Sequence, residues 1–166
     1  ADLARLDRKR KKKASFFMTG GELPYPAVSR HQVDALLGEK LDEDIPIEEV
    51  IAAAAETYHV FYLIPDEARA QRVQSRWRQL LGDQVICMES PKDTCSVAAA
   101  IVGLTENRIP DVDDLAGILK KSGLDRDHVR STVRVVRDYA ALLKNPAART
   151  SRPTTTGSKW WKSLFG

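Results

Sequence analysis

His59-Val-Phe-Tyr-Leu-Ile64 is a near-continuous apolar run, closed by Pro65-Asp66. It reads as a strand, and its lack of polar alternation predicts burial on both faces. A strand wet on neither face needs a layer of structure over each. Two shorter strands accompany it. Ser15-Phe-Phe-Met-Thr19 stops at Gly20-Gly21, and Gln84-Val-Ile-Cys-Met88 stops before Ser90-Pro91.

The segments between and after the strands are helical in pattern. Ser29 suits an N-cap for a short helix through Val33, Leu36 and Leu37, ended by Gly38. An acidic linker, Glu39 to Asp44, follows, and Pro46 suits the first turn of the next helix. There Ile47, Val50, Ile51, Ala54, Ala55 and Tyr58 recur on one face. Val73, Trp77, Leu80 and Leu81 make the core face of a helix capped by Asp66. Val97, Ala98, Ile101 and Leu104 do the same after Ser90-Pro91. Two further amphipathic helices carry Val112, Leu115, Ala116, Leu119, and Val129, Val133, Val136, Ala140, Leu143. Strands alternating with helical crossovers imply a parallel sheet. The expected fold is α/β, with a three-stranded parallel sheet, flanking helices and a C-terminal helix pair.

Charge divides the chain. Residues 1–13 form a basic arm of net +5, residues 144–166 are again +5, and residues 14–143 carry 14 Lys/Arg against 21 Asp/Glu. The expected units are the arm at 1–13, the α/β unit at 14–107, the helix pair at 108–144, and a linker and tail at 145–166. The longest apolar run, Val97 to Leu104, is too short to cross a membrane. With no initiator Met and no charged-then-apolar leader, no secretory signal is expected, and the missing Met fits a start cut inside a longer chain. Cys87 and Cys95 make no disulfide framework and read as reduced thiols, so a cytoplasmic protein is expected.

Phe16-Phe-Met-Thr-Gly-Gly-Glu-Leu-Pro-Tyr-Pro26 resembles the fourth strand and following loop of a bacterial von Willebrand factor A (VWA) domain. There a phrase like "IGDE-x-PYP" follows an apolar strand. Ser29-Arg-His-Gln-Val33, Leu41-Asp-Glu-Asp-Ile-Pro46, Tyr58 to Pro65, Trp77 to Asp83 and Gly103-Leu-Thr-Glu106 continue the resemblance, over about residues 14–107. It implies the C-terminal half of a doubly wound, Rossmann-like α/β domain. Such domains hold Mg²⁺ at the C-terminal sheet edge through a D-x-S-x-S loop, a Thr and an Asp. D-x-S-x-S is absent here, and Gly21 stands where the Asp is expected. The resemblance therefore implies a degenerate site with no metal and no cofactor. In that family's sheet the first strand lies beside the fourth. If the first half is absent, Ser15–Thr19 has an open edge, filled by a second copy, a partner chain or the lost half, or covered by helices 111–143 and the tail.

Other candidate chemistry is weak. No Cys-x-x-Cys or His-x-x-x-His spacing is present. His31, His59 and His128 read as structural or surface residues. Asp42-Glu43-Asp44 and Asp111, Asp113, Asp114 read as loop and helix-start acids, not as a Ca²⁺ loop. No nucleotide-binding loop or nucleophile elbow occurs. The sheet edge offers Glu22, Asp66, Glu89 and Ser90, with no His or Lys between them. These residues point away from an enzyme and toward a non-catalytic protein-interaction module. The expected surface is Gly20, Gly21, Glu22 and Tyr25 beyond the first strand, with Trp160, Trp161 and Phe165 in the aromatic-basic tail. The expected partner is a protein, by analogy an AAA-type ATPase, or a second copy. The alternatives are a small α/β enzyme with a ligand at the strand edge, and a nucleic-acid or anionic-membrane tether acting through the basic ends.

Overall fold

The apolar run becomes the middle of a three-stranded sheet. The computed structural model describes residues 12–145 and 147. Its strands are β1 (Ala14–Thr19), β2 (Ala27–Val28), β3 (Ile45–Pro46), β4 (Tyr58–Ile64) and β5 (Val85–Cys87). Its helices are α1 (Arg30–Leu37), α2 (Ile47–Thr57), α3 (Glu67–Leu81), α4 (Thr94–Thr105), α5 (Val112–Lys121) and α6 (Arg126–Lys144). The main sheet has the order β1-β4-β5, and both pairings are parallel. Ala14 to Thr19 lie opposite Tyr58 to Leu63, and Tyr62 to Ile64 lie opposite Val85 to Cys87.

Strand geometry then sorts the side chains of β4. Val60, Tyr62 and Ile64 join Ile51, Val73, Trp77 and Leu80 in a core under α2 and α3. Phe61 and Leu63 point the other way. They join Val97, Ile101, Leu115, Leu119, Val129 and Val136 under α4, α5 and α6. The continuous apolar run and the double burial are therefore one fact: each residue parity supplies a different core. The helix pair α5–α6 belongs to the second core, so it helps cover the Phe61–Leu63 face of the sheet. Asp111 and Asp125 accept the backbone N–H groups that begin α5 and α6, and these bonds hold both carboxyls below their usual range.

The α/β sandwich matches the sequence expectation, but three local features differ. Glu39 to Asp44 is linker as expected, but Ile45–Pro46 after it forms β3, which pairs antiparallel with β2. Ser29 makes no side-chain cap; Asp44 Oδ1 accepts the Arg30 N–H instead, at 2.9 Å. Pro46 ends β3 rather than opening a helical turn. Within α1 only Val33 is buried, while Leu36 and Leu37 are 81% and 66% exposed. An eight-residue amphipathic pattern there sets the helix but gives it little to pack against.

Candidate functional site

The turn after β1 is built by close packing. Gly20 N–H donates to the Leu63 carbonyl, 3.1 Å away, and extends the ladder by one residue. A Cβ on Gly20 would lie 2.7 Å from the Tyr62 hydroxyl. One on Gly21 would meet the Arg69 side chain, including its Cβ at 2.9 Å. A side chain at either position would have to displace Tyr62 or Arg69, most severely at Gly21.

Glu22 is fixed through its backbone. Its carbonyl oxygen accepts Trp77 Nε1–H at 2.9 Å and, more weakly, the Tyr62 hydroxyl at 3.4 Å. Tyr62 and Trp77 are stacked, with centroids 3.8 Å apart. Burial pushes the Tyr62 hydroxyl above its ordinary value, so it stays a neutral donor. Arg72 Nη2 donates to the Gly21 carbonyl at 3.1 Å and to Glu22 Oε1 at 3.3 Å. Two guanidinium side chains, Arg69 and Arg72, therefore flank this turn. With no acid at position 21 and the Glu22 carboxylate already paired, the turn does not fit a divalent cation. Among the described residues no group of three His, Cys, Asp or Glu is placed to hold a metal.

Tyr25 follows on the same loop and is 84% exposed, next to an exposed Leu23. Gly20, Gly21, Glu22 and Tyr25 thus share one turn, with Gly21 buried and Tyr25 outermost. Trp160, Trp161 and Phe165 lie outside the described residues.

The strand leading into this turn is an edge. β1 is bonded to β4 on one side, and no other described strand pairs with it. In a parallel ladder the backbone groups alternate sides along the strand. Because Gly20 bonds to β4, Ala14, Phe16 and Met18 also turn their N–H and C=O toward β4. Ser15, Phe17 and Thr19 turn theirs outward. The side chains anchor the strand. Phe17 stacks on Phe61 with centroids 5.1 Å apart, and Met18 packs on the core under α2 and α3. Phe16, near Tyr58, remains 45% exposed.

A polar cluster that sequence reasoning missed lies beyond β5. Asp93 is buried, and its Oδ2 accepts the Ser131 hydroxyl at 2.5 Å. His128 Nε2 lies 3.2 Å from Asp93 Oδ1 and 3.0 Å from Ser96 Oγ. Ser96 Oγ is also 2.8 Å from Thr132 Oγ1. The residue types are those of a nucleophile relay, but the geometry is not. Such a relay uses both ring nitrogens, one for the acid and one for the hydroxyl. Here both partners approach the same Nε2. The cluster instead ties the start of α4 to the first turns of α6. The signal in the sequence was Thr132, a polar residue on the core side of α6 that needs a buried partner.

Cys87 offers no better nucleophile, since burial raises its thiol above the ordinary value. No helix among the described residues is long and apolar enough to cross a membrane. Comparisons with family models, with curated proteins and with solved structures return no match to this chain.

Proposed function

We propose that this chain is a non-catalytic protein-interaction module, derived from a VWA domain, which pairs with an extended segment of a partner chain along β1. The carrying observation is the six-residue strand β1, bonded on one side and held by Phe17 and Met18 on both cores. Main-chain pairing supplies affinity in this mode of recognition, and side chains beside the edge supply selection. Phe16 on the strand, and Leu23 and Tyr25 on the loop, are exposed apolar groups in a position to do so. The VWA resemblance supports the same reading, because a strand of that family's sheet belongs beside β1 and no described strand lies there. With the turn at Gly21 unsuited to a cation, the partner is read by strand pairing rather than through a shared metal. By analogy with the family, an AAA-type ATPase is one partner of this kind.

An edge that accepts a partner also accepts its own copy at high concentration. Sedimentation of the full chain over rising concentration is expected to show reversible association. Ser15→Pro removes an outward N–H and no bond to β4, so it should keep the fold and abolish that association. A chain that stays monomeric throughout, or one whose association survives Ser15→Pro, would count against the edge.

A further inference from the structure

We propose that the groove between α5 and α6 is a second docking surface, and that its occupant is an acidic amphipathic helix of a partner protein. Arg126, Arg130, Arg134 and Arg137 follow one another at spacings of four, four and three along α6. That rhythm keeps them on one face, over about 16 Å of helix. Lys120 of α5 faces them across a groove of about 380 Å³, whose floor includes Val129 and Val133. Of the 14 basic residues in 14–143, five line this groove; of the 21 acidic ones, none does. In an acidic body that concentration runs against the trend.

Intramolecular pairing does not neutralise it. Arg134 reaches Glu89 at 2.7 Å and Arg130 reaches Asp127 at 3.5 Å. Lys120, Arg126 and Arg137 have no carboxylate partner among the described residues. Like charges at these helical spacings repel one another, and an anionic occupant relieves them.

The shape selects among anions. A valine floor between cationic rims matches a rod with one apolar stripe and acidic flanks. A nucleic-acid strand would leave the floor unused, and among the described residues no aromatic side chain lines the groove for base stacking. A bilayer is flat, whereas this site is concave. The chain's own ends, at +5 each, have the wrong sign.

The probe is a synthetic helical peptide with Leu at i, i+3 and i+7 and Glu elsewhere. Its Gln-substituted version, an oligothymidylate and phosphatidylserine vesicles serve as comparators. Since the basic ends attract any anion, the groove variants decide the result. Arg130→Ala/Arg137→Ala should weaken peptide binding by about tenfold. Val133→Gln should weaken it too, and the Gln peptide should bind less well than the Glu peptide. Ser15→Pro should leave this binding unchanged, which separates it from the strand edge. Peptide affinity unmoved by the double arginine variant would overturn the proposal. So would oligothymidylate or vesicle binding that falls with the arginines and ignores Val133→Gln. Val133 is only partly buried, and the arginine pair is on the surface, so a folding defect in one variant leaves the other decisive.

Discussion

Phe61→Ala is expected to destabilise the chain by about 3–5 kcal/mol, read as a lowered denaturation midpoint. Phe61 is fully buried at the middle of β4. It stacks on Phe17 of the edge strand, and it meets the Tyr139 ring of α6 edge-on with centroids 5.5 Å apart. One ring therefore joins the edge strand, the central strand and the helix pair. Its removal leaves a cavity and also two broken aromatic contacts, each worth about 0.5–1.5 kcal/mol beyond area. Loss of the Phe17 contact should loosen β1 more than β5. Phe16→Ala, one residue along the edge strand, should cost less than about 1 kcal/mol, because that ring is 45% exposed.

Trp77→Ala should cost about as much, roughly 3–5 kcal/mol, through a different structure. Trp77 is buried on α3, stacks on Tyr62 and donates to the Glu22 carbonyl. The substitution removes the platform under the turn after β1 as well as core volume. Trp77→Phe keeps an aromatic ring in the core and deletes the N–H with part of the indole volume, so a smaller loss, about 1–3 kcal/mol, is expected. The Tyr62 hydroxyl, at 3.4 Å, is a poor substitute donor to the orphaned carbonyl. Proteolysis in the Glu22–Pro26 loop should rise in both variants, and more in the alanine one.

Much of the architecture was legible because it rests on periodicity. The β4 run had no polar alternation, and it proved to feed two cores by parity. The helices from α3 onward showed the 3.6-residue rhythm, and strands alternating with helical crossovers pointed to the parallel main sheet. What the rhythm left open was where an amphipathic face points. The α5–α6 pair had clear apolar faces, yet only packing places them over Phe61 and Leu63 with α4. The two-residue strands β2 and β3 are too short to carry any pattern. In sequence, Gly20-Gly21 read as part of an interaction surface beyond the first strand. The contacts with Tyr62 and Arg69 give the pair a packing reason that no local signal encodes. The Asp93–Ser96–His128–Ser131–Thr132 cluster joins residues about one helix pair apart in sequence. Its members were scattered among helix-start acids and surface-like polar residues until α6 docked beside the start of α4.

Backbone hydrogen exchange along β1 in the full chain is the most direct measurement of the open edge. Amides of Phe16, Met18 and Gly20, bonded to β4, should exchange slowly, whereas those of Ser15, Phe17 and Thr19 should exchange fast in dilute solution and slow down when a partner strand is added. Uniform slow exchange at all six positions in the dilute chain would mean that something already pairs with this side of the sheet, and the account would fail.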